Sequence, residues 1–127
     1  MAYRVLIVDD SKLARMMMAK LVGTLYPHWT QFEAVNTEDA LASVKANKID
    51  IAILDFNMPG RDGLALAGEL HESEPAMPVA VTSANHQIEI VDRTRLTGAT
   101  FLSKPVTQEA LAGFLEDAVA RLKAADR

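Results

Sequence analysis

Five short apolar runs recur along the chain: RVLIV at residues 4–8, TQFEAV at 30–35, IDIAIL at 49–54, VAVTS at 79–83 and TFLS at 100–103. Most of them are continuous rather than alternating, the pattern of strands covered on both faces. Each run is followed by a stretch with helical spacing, at residues 11–25, 36–47, 63–72, about 87–96 and 107 to about 124. Local chemistry sets the ends of these helices. Pro27 disfavours helix in the residue before it. Asn36 and Thr37 supply a cap, with acids in the turn that follows. Gly98 suits the end of the fourth helix. Strands alternating with helices imply right-handed crossovers and a parallel sheet with helices on both sides. The expected fold class is therefore α/β, a five-stranded parallel sheet in a (βα)5 sandwich. A length of 127 residues suits one domain, residues 1–127, around one sheet.

Composition removes several function classes. No apolar run approaches the roughly 20 residues of a membrane-spanning helix. The opening MAYRVLIVDD carries one Arg and reaches two Asp, unlike a signal peptide. The chain has no cysteine, so disulfide and thiolate chemistry are excluded and a reducing, cytoplasmic location is expected. A net charge of −4 disfavours direct nucleic-acid binding and an anionic membrane surface. The three histidines, in PHW, LHE and NHQ, are scattered without metal-ligand spacing.

In open α/β sheets, ligands bind beyond the carboxyl ends of the strands. The segment ILDFNMPGRDG runs a buried strand straight into Asp55, then into turn residues. The first strand ends at Asp9-Asp10, the fourth at Thr82-Ser83 and the fifth at Ser103-Lys104-Pro105. Singly, each has an ordinary explanation: a favourable charge at a helix start, a turn residue, a cap, a loop lysine. Jointly, three carboxylates converging on one edge repel one another, and a hard divalent cation relieves that repulsion. Asn57, two residues after Asp55, adds a backbone carbonyl oxygen. The lysine is then a counter-charge for phosphate and the hydroxyl a hydrogen-bond donor. That inventory fits phosphoryl transfer onto a carboxylate.

Taken in order, the motifs VLIVDDS, ILDFNMPGRDG, PVAVTSA and GATFLSKP resemble those of the receiver domains of two-component response regulators, over essentially the whole chain. The resemblance implies the flavodoxin/CheY-like strand order 2-1-3-4-5. It implies Asp55 as phosphoacceptor, and Asp9, Asp10 and Asp55 with the Asn57 carbonyl as ligands of Mg²⁺, for which Mn²⁺ can substitute. Lys104 takes the place of the lysine that pairs with the phosphoryl group. Ser83, five residues after Pro78, takes the place of the switch hydroxyl, with Thr82 as the alternative. Phe101 takes that of the switch aromatic. The implied phosphodonor is a sensor histidine kinase or a histidine phosphotransfer protein. The implied output is a protein target docked on the fourth helix, fifth strand and last helix. The protein is then a monomer or a phosphorylation-linked dimer, and an acceptor rather than a turnover enzyme. Two departures stand out: the segment from Gly98 to Phe101 is one residue short of the common GAxxY spacing, and the usual KPF is KPV.

Helical spacing puts Ala14, Met17, Met18, Leu21, Val22 and Leu25 on the core stripe of the first helix. Leu13 and Met16 fall outside it, placed to face a partner beside the phosphorylation edge. In the last helix Leu111, Phe114, Leu115, Ala118 and Leu122 form the core stripe, while Ala112 and Val119 fall off it toward the partner face. Gly113 costs that helix about 1 kcal/mol relative to Ala, which suggests close packing there. Tyr26 and Trp29 are expected to close the loop after the first helix. Two other functions compete. A Mg²⁺-dependent aspartyl-phosphate phosphatase usually wants a second acid two residues after its nucleophile, where this chain has Asn57. A scaffold that has lost its chemistry would lack an acid or the lysine. The ending ARLKAADR shows no linker, so the chain is read either as a single-domain messenger or as the receiver fragment of a larger regulator with its output domain missing.

Overall fold

The computed structural model describes residues 2–58, 62–85 and 87–125. The elements run β1 (Arg4–Val8), α1 (Lys12–Leu25), β2 (Thr30–Ala34), α2 (Thr37–Ala46), β3 (Ile51–Asp55), α3 (Gly63–Ser73), β4 (Val79–Ser83), α4 (Ile88–Leu96), β5 (Thr100–Ser103) and α5 (Gln108–Ala125). All pairings are parallel, and the strand order is β2-β1-β3-β4-β5. The Met-Pro-Gly turn anticipated after Asn57 falls at residues 58–60, largely outside the described residues.

The apolar runs decide the order of burial. Every residue of β3 and β4 is buried, as is β1 after Arg4, whereas the edge strands β2 and β5 are only partly covered. Alternation along the strands splits the apolar residues into two cores. Leu6, Val8, Leu54 and Val81 pack with Leu66 and Leu70 of α3 on one side. Val5, Ile7, Ile53 and Leu102 pack with Met18 and Val22 of α1 and Leu111, Phe114 and Leu115 of α5 on the other. Each such side chain contributes about 1.5–3 kcal/mol by leaving water.

α1, α2, α4 and α5 each begin one residue later than their sequence signals, whose first residues stand at the N-cap, while α3 begins at Gly63 as expected. Ser11 Oγ accepts the Ala14 amide at 3.2 Å, and Asn36 Oδ1 accepts that of Asp39 at 2.8 Å. Asp62 Oδ1 accepts the Ala65 amide at 2.9 Å, and Thr107 Oγ1 that of Ala110 at 3.1 Å. Gly98 follows α4 at φ +87°, the left-handed region that glycine adopts without strain. Tyr26 and Trp29 stack with ring centroids 3.9 Å apart and close the α1–β2 loop.

Four details differ from the sequence reading. β3 starts at Ile51 rather than at residue 49: the Ile49 amide turns back to the Asn47 carbonyl at 3.1 Å, and the Asp50 carboxylate accepts the Arg4 amide at 2.8 Å. Met17 is 60% exposed, not core. The buried stripe of α1 centres on Met18 and Val22, and at about 100° per residue Met17 lies on its flank, beside Leu13. Val119 packs against the core cluster containing Tyr3 and Trp29 rather than joining an exposed face. Finally, a Cβ added at Gly113 would meet nothing within 4 Å, so no close packing requires a glycine there. Gly113→Ala should therefore stabilise the domain by about 0.5–1 kcal/mol. The expected result is a higher urea midpoint at unchanged m-value.

Candidate functional site

Four strands deliver polar side chains to the carboxyl edge of the sheet. Asp9 directly follows β1, where its amide donates to the Ala34 carbonyl at 3.1 Å and its Oδ1 accepts the Ser11 amide at 2.9 Å. Asp55 is the last residue of β3 and is buried. The strand end that carries it is tied to β4 by the Phe56 amide, 2.9 Å from the Thr82 carbonyl. Lys104 follows β5, and its amide donates to the Ser83 carbonyl at 2.9 Å. Its Nζ lies 2.6 Å from Asp55 Oδ1 and 3.8 Å from Asp9 Oδ2. The Lys104–Pro105 peptide is cis. Gly63 opens α3 directly beneath this strand end, and a Cβ there would collide with the Asp55 carbonyl oxygen. The glycine thus lets α3 start close enough to pack under Asp55.

Asp9, Asp10 and Asp55 each offer a carboxylate oxygen, all within 4.8 Å of one another. Asp9 and Asp55 are buried and Asp10 is exposed. Burial, foremost, and then the charges of Asp55 and Asp10 hold the Asp9 carboxyl above its ordinary value, against the Ser11 amide and the Lys104 ammonium. Three crowded acids, one of them resisting ionisation, form a donor set that a hard divalent cation fits. Asn57 is exposed, two residues beyond Asp55 in the β3–α3 loop.

The two hydroxyls at the end of β4 point to opposite faces. Thr82 is the register partner of Asp55, shares its face of the sheet, and donates to the Leu54 carbonyl at 3.3 Å. Ser83 lies one residue further, pairs with Ser103, and is 1% exposed. Its Oγ accepts the Asn85 amide at 3.0 Å, which keeps the hydroxyl proton for another acceptor. Phe101 is the register partner of Val81, so it stands on the Ser83 face, beside α4. Leu13 and Met16 are exposed, at 67% and 57%, and Met17 joins them. A mainly apolar cavity of about 400 Å³ opens beside them, lined by Met17, Asp9, Asp55, Lys104, Pro105 and Val106 among others.

Sequence reading missed Arg15. Its Nη1 donates to the Asp9 carbonyl at 2.8 Å and its Nε to Glu33 Oε1 at 2.9 Å. The signal was weak: a single Arg in the first turns of a helix, one turn away from the acid pair.

A buried acid held above its ordinary value favours the protonated form in the folded state. It therefore costs stability once the pH exceeds the pKa of the unfolded chain, and costs nothing where both states are protonated. Asp9→Asn keeps the oxygen that accepts the Ser11 amide and removes the charge. In metal-free buffer the variant should melt above the parent at pH 7 and level with it near pH 2.5, well below the ordinary aspartate value of 3.8. Thermal melts at the two pH values check this.

The family model for the response regulator receiver domain matches residues 5–116. Among curated proteins, the chain is 40% identical over 115 residues to the positive alginate biosynthesis regulatory protein of Pseudomonas aeruginosa, covering 90% of this chain and 46% of that one. It is 34% identical over 121 residues to the transcriptional regulatory protein PdtaR of Mycobacterium tuberculosis, covering 94% and 58%. The chain thus spans about half the length of these relatives. Among solved structures, the signal receiver domain of an HD domain-containing protein from Pseudomonas fluorescens superposes with TM-score 0.88 at 20% identity, covering 98% of this chain and 99% of that one. A CheY-like receiver domain protein from Methanospirillum hungatei gives 0.86 at 21% identity, with the same coverage. The strand order, the acid cluster at the carboxyl edge and the family match agree: this chain belongs to the receiver domains of two-component response regulators.

Proposed function

We propose that this receiver domain accepts a phosphoryl group on Asp55 and that the modification changes its affinity for a protein partner. The observation that carries the reading is the Lys104 ammonium, 2.6 Å from Asp55 within a cluster of three carboxylates. The donor is a phosphohistidine on a sensor histidine kinase or a histidine phosphotransfer protein, and a small acyl phosphate serves in its place. In the transfer, the Asp55 carboxylate forms a P–O bond as the P–N bond to the donor imidazole breaks. In-line positioning and charge stabilisation supply most of the catalysis for such a transfer. Asp9, Asp10, Asp55 and the Asn57 carbonyl would hold Mg²⁺, or Mn²⁺, which supplies positive charge to offset the acids and the incoming phosphoryl oxygens. Lys104 turns from Asp55 to a phosphoryl oxygen, and Ser83 donates its hydroxyl proton to another. The protein is an acceptor that is reset by hydrolysis, not a turnover enzyme.

Ser83 and Phe101 share a face, so a shift of Ser83 toward the phosphoryl group gives the aromatic ring room to repack toward β4. Phe101 has no hydroxyl, and packing alone drives that step. The readout face is α4, β5 and α5, where Ile88 and Leu96 are 78% and 86% exposed. The donor docks at Leu13 and Met16, with Met17 alongside. A receiver joined to an output domain is the second reading, since the matched relatives are about twice as long.

Wild-type protein incubated with a radiolabelled acyl phosphate and Mg²⁺ should take up close to one phosphate per chain. Asp55→Ala should take up none, and carboxylate-linked label on that variant would remove the assignment. Neither Asn57 nor Asn85, the residues two beyond Asp55 and Ser83, is a carboxylate that activates water, so intrinsic hydrolysis sets the lifetime. Asn85 Oδ1 accepts the Gln87 amide at 3.0 Å and holds the start of α4. Asn85→Glu and Asn85→Lys should each change the phosphorylated half-life severalfold, followed by loss of label in a chase. An unchanged half-life in both would exclude a role for this position.

A further inference from the structure

We propose that Arg15 is a positioning residue for the acid pair Asp9-Asp10, setting the affinity of the site for its divalent cation. The inference rests on the cation site proposed above and goes beyond it, to a side chain that touches neither the cation nor the phosphoryl group.

The argument starts from the peptide between the two acids. A peptide unit is planar, so fixing its carbonyl oxygen fixes the direction in which the next residue leaves it. Arg15 Nη1 donates to the Asp9 carbonyl at 2.8 Å, and that carbonyl belongs to the Asp9–Asp10 peptide. Asp9 is held at three points: its amide on Ala34, its carbonyl on Arg15 and its Oδ1 on Ser11. Its Oδ2 remains to face Lys104 and the other acids. Asp10 is exposed, and among the described residues no comparable set of bonds directs its carboxylate. Its direction is inherited from the plane that Arg15 holds.

The guanidinium is itself fixed. Its side chain is 13% exposed, and Nε is bonded at 2.9 Å to Glu33 on β2, the register neighbour of Ile7. One planar fork thus joins α1, the end of β1 and the edge strand β2. A lysine has one compact ammonium and cannot reproduce this bidentate geometry. Ligands to a metal depend on such outer contacts for orientation, and losing one typically costs about 10–100-fold in metal affinity. The alternative is that Arg15 and Glu33 form an ordinary surface ion pair, which would leave the cation affinity alone.

The two are separated by titrating the unphosphorylated protein with Mg²⁺ and following the amide resonances of Asp10 and Lys104. Arg15→Ala, Arg15→Lys and Arg15→Gln should each bind Mg²⁺ about tenfold or more weakly than wild type. Glu33→Ala, which removes only the outer bond, should weaken binding by less than any of these. In acyl-phosphate labelling, the Arg15 variants should need more Mg²⁺ for half-maximal rate yet approach the wild-type rate at saturation. General loosening of the fold would instead lower the saturated rate, and that result overturns the proposal. So does Mg²⁺ affinity within about twofold of wild type in both Arg15→Lys and Arg15→Gln, the variants that best preserve the side-chain bulk if Arg15→Ala does not fold. Failure of wild type itself to bind Mg²⁺ would strike the cation site, a result distinct from normal affinity in the variants.

Discussion

Three carboxylates share one edge of the sheet with the Lys104 ammonium, and this crowding is the constraint around which the rest is arranged. Burial makes it sharper, since charge repulsion grows as water is excluded. A surface cluster of acids would relax into solvent. Here the backbone denies that escape: Asp9 is pinned by Ala34, Ser11 and Arg15, and Asp55 closes a strand buried along its whole length. The fold's apolar stability holds the acids in an arrangement that they would not choose, and the arrangement favours whatever positive charge arrives.

The scaffold serves this edge by placing the polar residues of its buried central strands there. Below it, β1, β3 and β4 are nearly pure apolar runs whose alternate residues feed two separate cores. Gly63 lets α3 begin against the strand end that carries Asp55, where any larger residue would displace the carbonyl of the phosphoacceptor candidate itself. The same glycine thus serves packing and site geometry together.

The central strands, the Asn36 cap and the convergence of Asp9, Asp10, Asp55 and Lys104 were legible in the sequence, because each rests on a local rule. A continuous apolar run reads as a buried strand, an Asn before a helix with acids in its first turn reads as a cap, and parallel connections send every strand end to the same edge. What was not legible depended on distances between elements. Met17 fits the period of a core residue, yet the buried stripe of α1 is narrower than its apolar stripe. Val119 falls off the period and is half-buried all the same, packed against the core cluster that includes Tyr3 and Trp29. Gly113 looked like a close approach, and nothing approaches it. Arg15 reads as a common helix residue, and only the fold brings its fork to the Asp9 carbonyl and to Glu33 at once.

The two faces of the sheet also bear on how a chemical event at the edge would be read. Asp55 and Thr82 share one face, with α1 and α5 behind them; Ser83 and Phe101 share the other, with α4. Under the proposed function, the phosphoryl group is received from the α1 side and its consequence appears on the α4 side. The Lys104 amide bonded to the Ser83 carbonyl joins the ends of β4 and β5 across that division. A change that draws Lys104 and Ser83 toward a common anion would therefore pull on two adjacent strand ends at once: β4 leads into α4, which carries Ile88 and Leu96, and β5 itself carries Phe101. Such coupling needs no long pathway. One side chain on each of two neighbouring strands suffices, provided that the strand ends are tied, and they are.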